Sequence, residues 1–403
     1  MEKIKWILNQ MPKNEDKNLA VMALDNVNQA RKFHRSFPQY LVTPLAKLDG
    51  MAGQLGLGGL FVKDESYRFG LNAFKVLGGS FAMAKYIAKE MGKDVSEMTY
   101  DYLTSKKFRD DFGQATFFTA TDGNHGRGVA WAANKLGQKA VVHMPKGSTQ
   151  TRFDNIAKEG ASVTIEELNY DDCVRLAAKE AAETPHGVIV QDTAWDGYEE
   201  IPSWIMQGYG SMAGEAAEQL REVEVNRPTH VFVQAGVGSL AGGVVGYFAN
   251  LYPNNPPKFI VMEAGAADCL YKGAEAGDGE PRIVGGDLQT IMAGLACGEP
   301  NTIGWDILRN HVSAFISCPD WVSAKGMRML AAPVKGDPSV TSGESGAVGM
   351  GVISSIMTDD AYKELREALE LDNSSQVLMF STEGDTDPDK YKKIVWGGEY
   401  PTV

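Results

Sequence analysis

The sequence predicts an α/β protein with two open lobes, each built on a mainly parallel sheet. Short β-rich runs alternate with helical segments from about residue 115 to 192, and further strands follow between 230 and 381. The strands are brief and nearly continuously apolar, as is typical of strands buried on both faces. At 403 residues the chain is long enough for two domains. We predict a large domain from residues 1–90 and 204–403, with a small α/β domain of residues 91–203 inserted in it.

The predicted elements follow a regular order along the chain. In the small domain, strands are expected at 115–120, 140–144, 161–165 and 187–192, with helices that end near 135, 159 and 184. In the large domain, strands are expected at 60–62, 230–234, 258–263 and 376–381, with helices at 78–91 and 204–222. Strand–helix repeats of this length imply parallel strands that are joined by right-handed crossovers.

Composition and charge exclude several classes of function. The net charge of -13 argues against nucleic acid and against an anionic membrane surface as partners. No apolar run approaches the roughly 18 residues of a membrane helix, and the N-terminal residues do not resemble a signal peptide. We therefore expect a cytoplasmic protein that acts on a small molecule. The histidines lack metal-ligand spacing, so no metal site is predicted.

The four cysteines are scattered along the chain without the spacing of a metal site. They are Cys173, Cys269, Cys297 and Cys318. In a cytoplasmic chain such cysteines are expected to be reduced and structural. The sequence leaves open whether Cys269 and Cys297 pair.

The most informative residue of the chain is Lys75. A charged turn at residues 63–66 precedes it, and an amphipathic segment from 78 to 91 follows it. Small and apolar neighbours at the start of a helix make this a poor position for a solvated surface charge. Partial desolvation lowers the pKa of a lysine and makes it a usable nucleophile and base. The alternative is that Lys75 only lies at a helix terminus, and the local pattern does not decide between the two.

A glycine-rich loop follows the strand predicted at 230–234 and begins a helix. Its glycines are Gly236, Gly238, Gly242 and Gly243. Glycines allow close approach of the backbone to a ligand, and the N–H groups at a helix start attract phosphate. With Glu263 at the end of the next strand, the loop also satisfies the dinucleotide-binding fingerprint. A phosphate site, an NAD-dependent dehydrogenase and a purely structural turn all remain open at this point.

Polar residues stand at the ends of three predicted strands. They occupy residues 121–126, 191–195 and 380–387, and include Asp122, Asn124 and Asp192. Open α/β sheets bind ligands at the carboxyl ends of their strands. The alternative for Asp122 and Asn124 is a turn that caps the following helix. Together with Lys75 and the glycine loop, the strand ends predict a site between the two lobes that is rich in carboxylates.

In chain order, these segments resemble the tryptophan-synthase-β and threonine-dehydratase class of pyridoxal-phosphate enzymes, the fold type II enzymes. The matching segments are Thr43-Pro44-Leu45, residues 73–78 around Lys75, residues 121–125, the glycine loop, and residues 381–385. Two positions depart from the class pattern. Leu77 replaces an arginine, and Asp122 replaces a serine or alanine.

These departures point to one subfamily. Longer strings at residues 68–75, 121–128, 192–198, 204–209 and 291–301 closely resemble the diaminopropionate ammonia-lyases. The resemblance extends from about residue 33 to 398. Matched strings of this length are far more specific than a glycine loop.

The resemblance implies roles for the candidate residues. Lys75 would bind pyridoxal phosphate covalently until the substrate amine displaces it. The four glycines of the loop would cradle the phosphate, and Asn124 would bond the ring hydroxyl. Ser381 would meet the pyridine nitrogen, with Thr382 as the second candidate. A homodimer is also implied.

The implied reaction is the elimination of ammonia from 2,3-diaminopropionate, in both its L and D forms, to give pyruvate and ammonia. The β-amine of diaminopropionate is cationic near neutral pH, so Asp122 and Asp192 would favour that charge electrostatically. We hypothesise that Lys75 takes the Cα proton from one enantiomer and Asp122 takes it from the other. Asp192 could hold the β-ammonium, assist as a base, or only cap a turn. The alternatives are a serine or threonine dehydratase of the same fold, an NAD-dependent dehydrogenase, and a ligand sensor without activity.

Overall fold

Two mainly parallel sheets organise the chain. The computed structural model describes residues 2–121 and 123–402. In the described residues, the strands are β1 Lys5–Leu8, β2 Leu45–Lys47, β3 Gly59–Asp64, β4 Thr116–Ala120, β5 Lys139–Met144, β6 Ser162–Ile165, β7 Gly187–Ile189, β8 His230–Gln234, β9 Lys258–Ala264, β10 Val312–Cys318 and β11 Gln376–Ser381.

The helices alternate with these strands along much of the chain. They are α1 Leu24–Arg35, α2 Asp49–Leu55, α3 Val76–Glu90, α4 Tyr100–Leu103, α5 Lys106–Phe112, α6 Asn124–Lys135, α7 Gln150–Ala157, α8 Tyr170–Glu183, α9 Glu200–Glu222, α10 Ser239–Leu251, α11 Cys269–Ala276, α12 Thr302–His311, α13 Asp320–Ala331, α14 Val348–Thr358, α15 Lys363–Leu369 and α16 Pro388–Val395.

The chain divides into two compact units. The large unit comprises Met1–Leu24, Val42–Tyr67 and Met212–Val403, and the small unit comprises Asp25–Leu41 and Arg68–Ser211. The small unit thus includes residues 25–41, 68–90 and 204–211 in addition to the stretch predicted at 91–203. Helix α3 packs closely against α6 in the small unit, since a methyl group on Gly79 would lie 3.2 Å from Val129 Cγ2 in α6. The boundary at 211/212 falls inside α9.

The large unit contains a seven-stranded sheet in the order β1-β10-β9-β8-β11-β3-β2. Its neighbouring strands from β10 to β3 are parallel, and the two edge strands, β1 and β2, are antiparallel. Every residue of β3 and β8 is buried. Helices that cover both faces of a parallel sheet account for such continuous burial. The core includes Met262, Ile316, Val348 and Val377, which are fully buried.

The small unit contains a four-stranded sheet in the order β6-β5-β4-β7, with all neighbours parallel. Strand β4 is central, and Phe118 packs on it against Ala177 and Ala181 of α8. The α/β class and the mainly parallel sheets are therefore as predicted. The predicted strands were found within a few residues, whereas β1, β2 and β10 were not predicted.

Three chemical features complete the fold. The four cysteines, all among the described residues, form no disulfide, and Cys269 Sγ lies 3.9 Å from the carbonyl oxygen of Cys297. Among the residues described, none of the helices combines the length and apolar character needed to cross a membrane. Within 2–121 and 123–402, no group of three or more His, Cys, Asp and Glu side chains is arranged to hold a metal ion.

Candidate active site

Lys75 lies immediately before helix α3, as the sequence predicted. It is the N-cap residue, and its Nζ donates a hydrogen bond to Oδ2 of Asp192. The side chains are 20% exposed for Lys75 and 8% exposed for Asp192. The Lys75 ammonium also lies 5.4 Å from the ring centroid of Phe74 and 5.7 Å from that of Tyr209. A carboxylate and two aromatic faces therefore surround a primary ammonium.

Asp192 follows β7 and is held at a defined position by several neighbours. Tyr209 Oη donates to Asp192 Oδ2 at 3.2 Å. Burial by itself raises the pKa of Asp192, but the ammonium of Lys75 and the hydrogen bonds from Lys75 and Tyr209 lower it further than burial raises it. The net pKa of Asp192 is well below its usual range, so this buried side chain is a carboxylate. Of the alternatives left open for Asp192, turn capping alone does not describe it.

Glycines bring three helices close together around Lys75. A methyl group on Gly128 of α6 would lie 2.7 Å from Val76 N and 3.1 Å from Lys75 C. One on Gly78 of α3 would lie 2.6 Å from the Tyr209 ring, and one on Gly208 of α9 would lie 2.3 Å from Leu77 O. Real Cβ atoms do not approach other atoms this closely, so only glycine fits at these positions. The backbone at Lys75 is thus fixed by close packing.

His125 lies beside Asp192 in the small unit. Its Nε2 is 2.8 Å from the carbonyl oxygen of Val190, and its Nδ1 is 4.0 Å from Asp192 Oδ2. Burial lowers the pKa of His125, the nearby Lys75 lowers it further, and Asp192 opposes this shift. The sequence singled out His125 only as part of a motif and assigned it no role.

Gln191 fixes the strand end from which Asp192 extends. Its Nε2 donates to Tyr170 Oη at 2.6 Å, and its Oε1 accepts hydrogen bonds from Thr119 Oγ1 at 2.9 Å and from Ala120 N at 3.1 Å. Gln191 is fully buried, so each of these bonds is protected from water. Tyr170, whose role the sequence left undetermined, therefore contacts the residue that precedes Asp192.

Asn124 is the first residue of α6, directly after Gly123. This position puts it at the carboxyl end of β4, as predicted. Asp122, the third predicted catalytic residue, lies outside the described residues.

The glycine loop of the large unit connects β8 to α10. Gly238 has a φ of 97°, and a side chain there would also meet Leu308 at 3.3 Å. The first N–H groups of a helix have no acceptor within that helix. The N–H of Gly242, by contrast, donates to Gly238 O at 2.7 Å, and Gly243 also lies inside α10. The structure therefore separates the four predicted glycines into two in the loop and two in the helix.

Asn301 braces this loop, although the sequence assigned it no role. Its backbone N–H donates to Val237 O at 2.7 Å, and its Nδ2 donates to Ser239 Oγ at 2.8 Å. Its Oδ1 caps α12 by accepting from Gly304 N at 2.8 Å. Asn301 is fully buried. The Asn301 side chain thus links the glycine loop to the start of α12. A pattern of local spacing in the sequence does not indicate such a link.

Ser381 and Thr382 stand at the end of β11 in the large unit, and both are buried. Ser381 Oγ donates to Ser342 Oγ at 2.8 Å. Thr382 Oγ1 accepts from Gln234 Nε2 at 2.8 Å, and Gln234 is the last residue of β8 before the glycine loop. Two predicted features, the glycine loop and the polar end of β11, are therefore joined by one side chain.

Glu263 does not behave as the acidic residue of a dinucleotide site. It is fully buried at the end of β9, and its carboxyl oxygens accept hydrogen bonds from Leu270 N at 2.9 Å and Tyr271 N at 2.6 Å. Burial raises its pKa well above the usual value, against the effect of these two bonds. Glu263 therefore serves the start of α11, and its oxygens are not presented to a ribose.

The chain is similar to known proteins over almost its whole length. The profile of a family described as "Pyridoxal-phosphate dependent enzyme" matches residues 37–383. A diaminopropionate ammonia-lyase of Salmonella typhimurium is 52% identical over 400 residues, which cover 98% of this chain and 99% of that protein.

Two crystal structures of diaminopropionate ammonia-lyase from Escherichia coli are similar in fold. The complex with D-serine has a TM-score of 0.91 at 46% identity and covers 99% of this chain and 98% of that chain. The complex with an aminoacrylate-PLP azomethine reaction intermediate has a TM-score of 0.89 at 45% identity and covers 100% and 99%.

Proposed function

We propose that this chain, which belongs to the diaminopropionate ammonia-lyases among the pyridoxal-phosphate dependent enzymes, eliminates ammonia from both enantiomers of 2,3-diaminopropionate. The product left by elimination would be 2-aminoacrylate, and its hydrolysis gives pyruvate and a second ammonia. The observation that carries the proposal is the ammonium of Lys75 held by the buried carboxylate of Asp192. It combines an amine that can bind an aldehyde with a negative charge suited to a cationic leaving group.

The residues present fit pyridoxal phosphate. A loop with Gly238 at a φ of 97° begins helix α10, and such a start suits a phosphate. The buried hydroxyl of Ser381 suits the pyridine nitrogen, because a neutral hydroxyl can donate to it. Ser342 can donate to Ser381 instead of accepting from it, and the proton of Ser381 is then available.

We assign the holding of the cofactor to the residues that the sequence predicted. Lys75 would bind the aldehyde, Asn124 would bond the ring hydroxyl, and Ser381 would meet the pyridine nitrogen. Thr382 remains the second candidate for the nitrogen, and its hydroxyl accepts from Gln234. Gly236 and Gly238 leave the loop backbone open to the phosphate. Gly242 and Gly243 contribute by lacking side chains, since the N–H of Gly242 is used inside α10.

Bound pyridoxal phosphate withdraws electrons from the substrate and so makes its Cα–H acidic. Lys75 would accept the Cα proton of the L enantiomer at Nζ. Asp192 holds a positive charge near that atom, either that of Lys75 or that of the substrate. The β-nitrogen leaves as ammonia because it is already protonated when the bond to carbon breaks. The site therefore does not need a separate acid for the leaving group.

We further propose that Asp122 accepts the Cα proton of the D enantiomer, whereas Lys75 accepts that of the L enantiomer. The support is the carboxylate at position 122, where related pyridoxal-phosphate enzymes have a serine or alanine. A base on the opposite side of the Cα from Lys75 is what a second enantiomer requires.

We also propose that the enzyme is a cytoplasmic homodimer. Four cysteines that form no disulfide fit a reducing compartment. Large hydrophobic side chains that are exposed in the single chain, such as Leu41 at 74% and Tyr67 at 62%, are suited to burial by a second copy. Sedimentation of the holoenzyme at two concentrations would test the dimer.

The function is tested by measuring pyruvate and ammonia released from L- and D-diaminopropionate and from L- and D-serine. The expected result is release from both diaminopropionate enantiomers with a kcat/KM at least tenfold above that for serine. Faster release from serine would support a dehydratase instead. No release from any of them, by protein that has the visible band of the bound cofactor, would support a ligand sensor. Lys75→Ala is the control, because it removes the covalent attachment.

A further inference from the structure

The imidazole of His125 has one ring nitrogen that the rest of the described chain does not use. Its Nδ1 is buried and has no hydrogen-bond partner among the described residues. Most buried polar atoms are paired, because an unpaired one gives up its hydrogen bonds to water and gains none in return. An unpaired nitrogen beside the Lys75–Asp192 pair therefore indicates a ligand that donates a hydrogen bond to it.

The tautomer of the neutral His125 ring follows from the contact that Nε2 makes. Nε2 lies 2.8 Å from Val190 O, and a carbonyl oxygen can only accept, so Nε2 is the donor. In the neutral ring, Nδ1 then carries a lone pair. Asp192 Oδ2 lies 4.0 Å from Nδ1, which is too far for a hydrogen bond. Two acceptors thus face the same space, and a donor can satisfy both.

Lys75 indicates which kind of hydrogen-bond donor can bind beside Asp192. Its Nζ is a primary alkylammonium, and it binds Asp192 next to the rings of Phe74 and Tyr209. The β-ammonium of diaminopropionate is the same chemical group. When Lys75 accepts the Cα proton it must first be neutral, so at that stage it does not supply the positive charge. The substrate ammonium then remains as the cation that matches Asp192.

We propose that His125 determines specificity for the substrate by accepting, at Nδ1, a hydrogen bond from the β-ammonium that Asp192 binds. The ammonium has three hydrogens, so it can donate to both groups at once. Serine has a neutral hydroxyl at the same carbon, with a single hydrogen to donate. His125 would therefore favour diaminopropionate over serine. This inference rests on the function proposed above, and it adds a residue to which the sequence assigned no part in the reaction.

Two substitutions separate the two ring nitrogens. His125→Asn keeps a polar atom at the position of Nδ1 and loses the donor to Val190. His125→Gln keeps a donor at the position of Nε2 and loses the acceptor at Nδ1. A purely structural histidine would tolerate glutamine better than asparagine, because its Val190 bond is retained. A histidine that binds substrate through Nδ1 would show the opposite order.

The experiment measures kcat/KM of the holoenzyme for L-diaminopropionate and L-serine in the wild type and both variants. The L enantiomers are chosen because Lys75 is the proposed base for them. We expect His125→Gln to lower kcat/KM for diaminopropionate about 10- to 100-fold, the range for a hydrogen bond to a charged group. For L-serine the change should be less than about threefold, and His125→Asn should retain more diaminopropionate activity than His125→Gln. Equal losses on both substrates, or a greater loss with asparagine, would overturn the proposal.

A spectroscopic readout keeps the test independent of turnover. In Lys75→Ala protein supplied with the cofactor, ¹⁵N-labelled histidine should show His125 Nδ1 as unprotonated. Adding L-diaminopropionate, whose proposed base is absent from this variant, should shift that resonance, and adding L-serine should not. An unchanged resonance at saturating diaminopropionate contradicts a contact with Nδ1. If wild-type enzyme releases no pyruvate from diaminopropionate, the proposed function itself fails, and that result is seen before any variant is made.

Discussion

At the scale of single residues, the site depends on how Asp192 is paired. Its carboxylate accepts from both Lys75 and Tyr209, although it is almost wholly buried. Removing one partner of a buried ion pair leaves the other charge uncompensated and is strongly unfavourable. Lys75 and Asp192 could both be proposed from sequence, because each follows or precedes a recognisable element. Tyr209 could not, since only the fold brings a residue of α9 to this carboxylate.

We predict that Asp192→Asn lowers kcat/KM for diaminopropionate by about 100-fold or more, because Lys75 and the substrate ammonium lose their carboxylate. The measurement is steady-state pyruvate release with both enantiomers. Asp196→Asn is the matched control, because Asp196 is exposed on the same loop, and it should stay within about twofold of wild type. An Asp192→Asn enzyme as active as that control would rule out the electrostatic role.

At the scale of elements, packing at glycines determines where Lys75 stands. Gly78, Gly128 and Gly208 each lie against backbone or ring atoms of a neighbouring helix. Such positions cannot be recognised from one sequence, because a helix glycine that permits close packing looks the same as one that does not. Among the strands, β1 and β2 were missed; they have four and three residues and lie at the two edges of the large sheet. Strand β10 follows directly on α12, which ends at His311, so no turn residue marks its start.

We predict that Gly128→Ala lowers both stability and activity, because the new methyl group would lie 2.7 Å from Val76 N and 2.9 Å from Val76 Cα. Backbone cannot move aside as a flexible side chain can, and overpacking typically costs 1–3 kcal/mol. Urea unfolding and pyruvate release are the measurements.

Gly53→Ala is the matched control for this substitution. Gly53 lies inside α2, is exposed, and has no atom within 4 Å of a new methyl group. Alanine there should be neutral or stabilise the protein by up to about 1 kcal/mol, because glycine is the poorer helix former. If both alanine variants behave alike, close packing at Gly128 does not position Lys75.

At the scale of the whole molecule, buried histidines make stability depend on pH. His230 lies in β8, near the centre of the large sheet, where its Nε2 donates to Leu369 O at 2.8 Å and its Nδ1 lies 2.8 Å from Thr229 Oγ1. Burial lowers its pKa, Lys258 lowers it further, and the bond to Leu369 and the charges of Asp372 and Glu370 oppose this.

The α/β class was predictable at this scale, because the alternation of strands and helices in the sequence indicates it. The membership of each compact unit was less so, because it depends on contacts between distant segments.

We predict that the free energy of unfolding falls as the pH drops below about 6.5, the usual pKa of histidine. The unfolded chain then binds a proton at His230 that the folded protein does not, so acid favours unfolding, by at most about 1.4 kcal/mol per pH unit for one group. Urea unfolding at pH 7.5 and 5.5 measures the difference. His230→Gln keeps a donor to Leu369 and should show a smaller difference than wild type. An equal or larger difference in the variant would place the effect elsewhere.

The first strand of the large sheet has a practical consequence. Residues 5–8 pair antiparallel with β10, from Lys5 opposite Ser317 to Leu8 opposite Ala314. Without them, the outer edge of β10 would present unsatisfied peptide groups, a template on which other chains can add. A shortened chain that lacks residues 5–8 would therefore be prone to aggregate. A purification tag placed ahead of the intact strand leaves the edge of β10 paired.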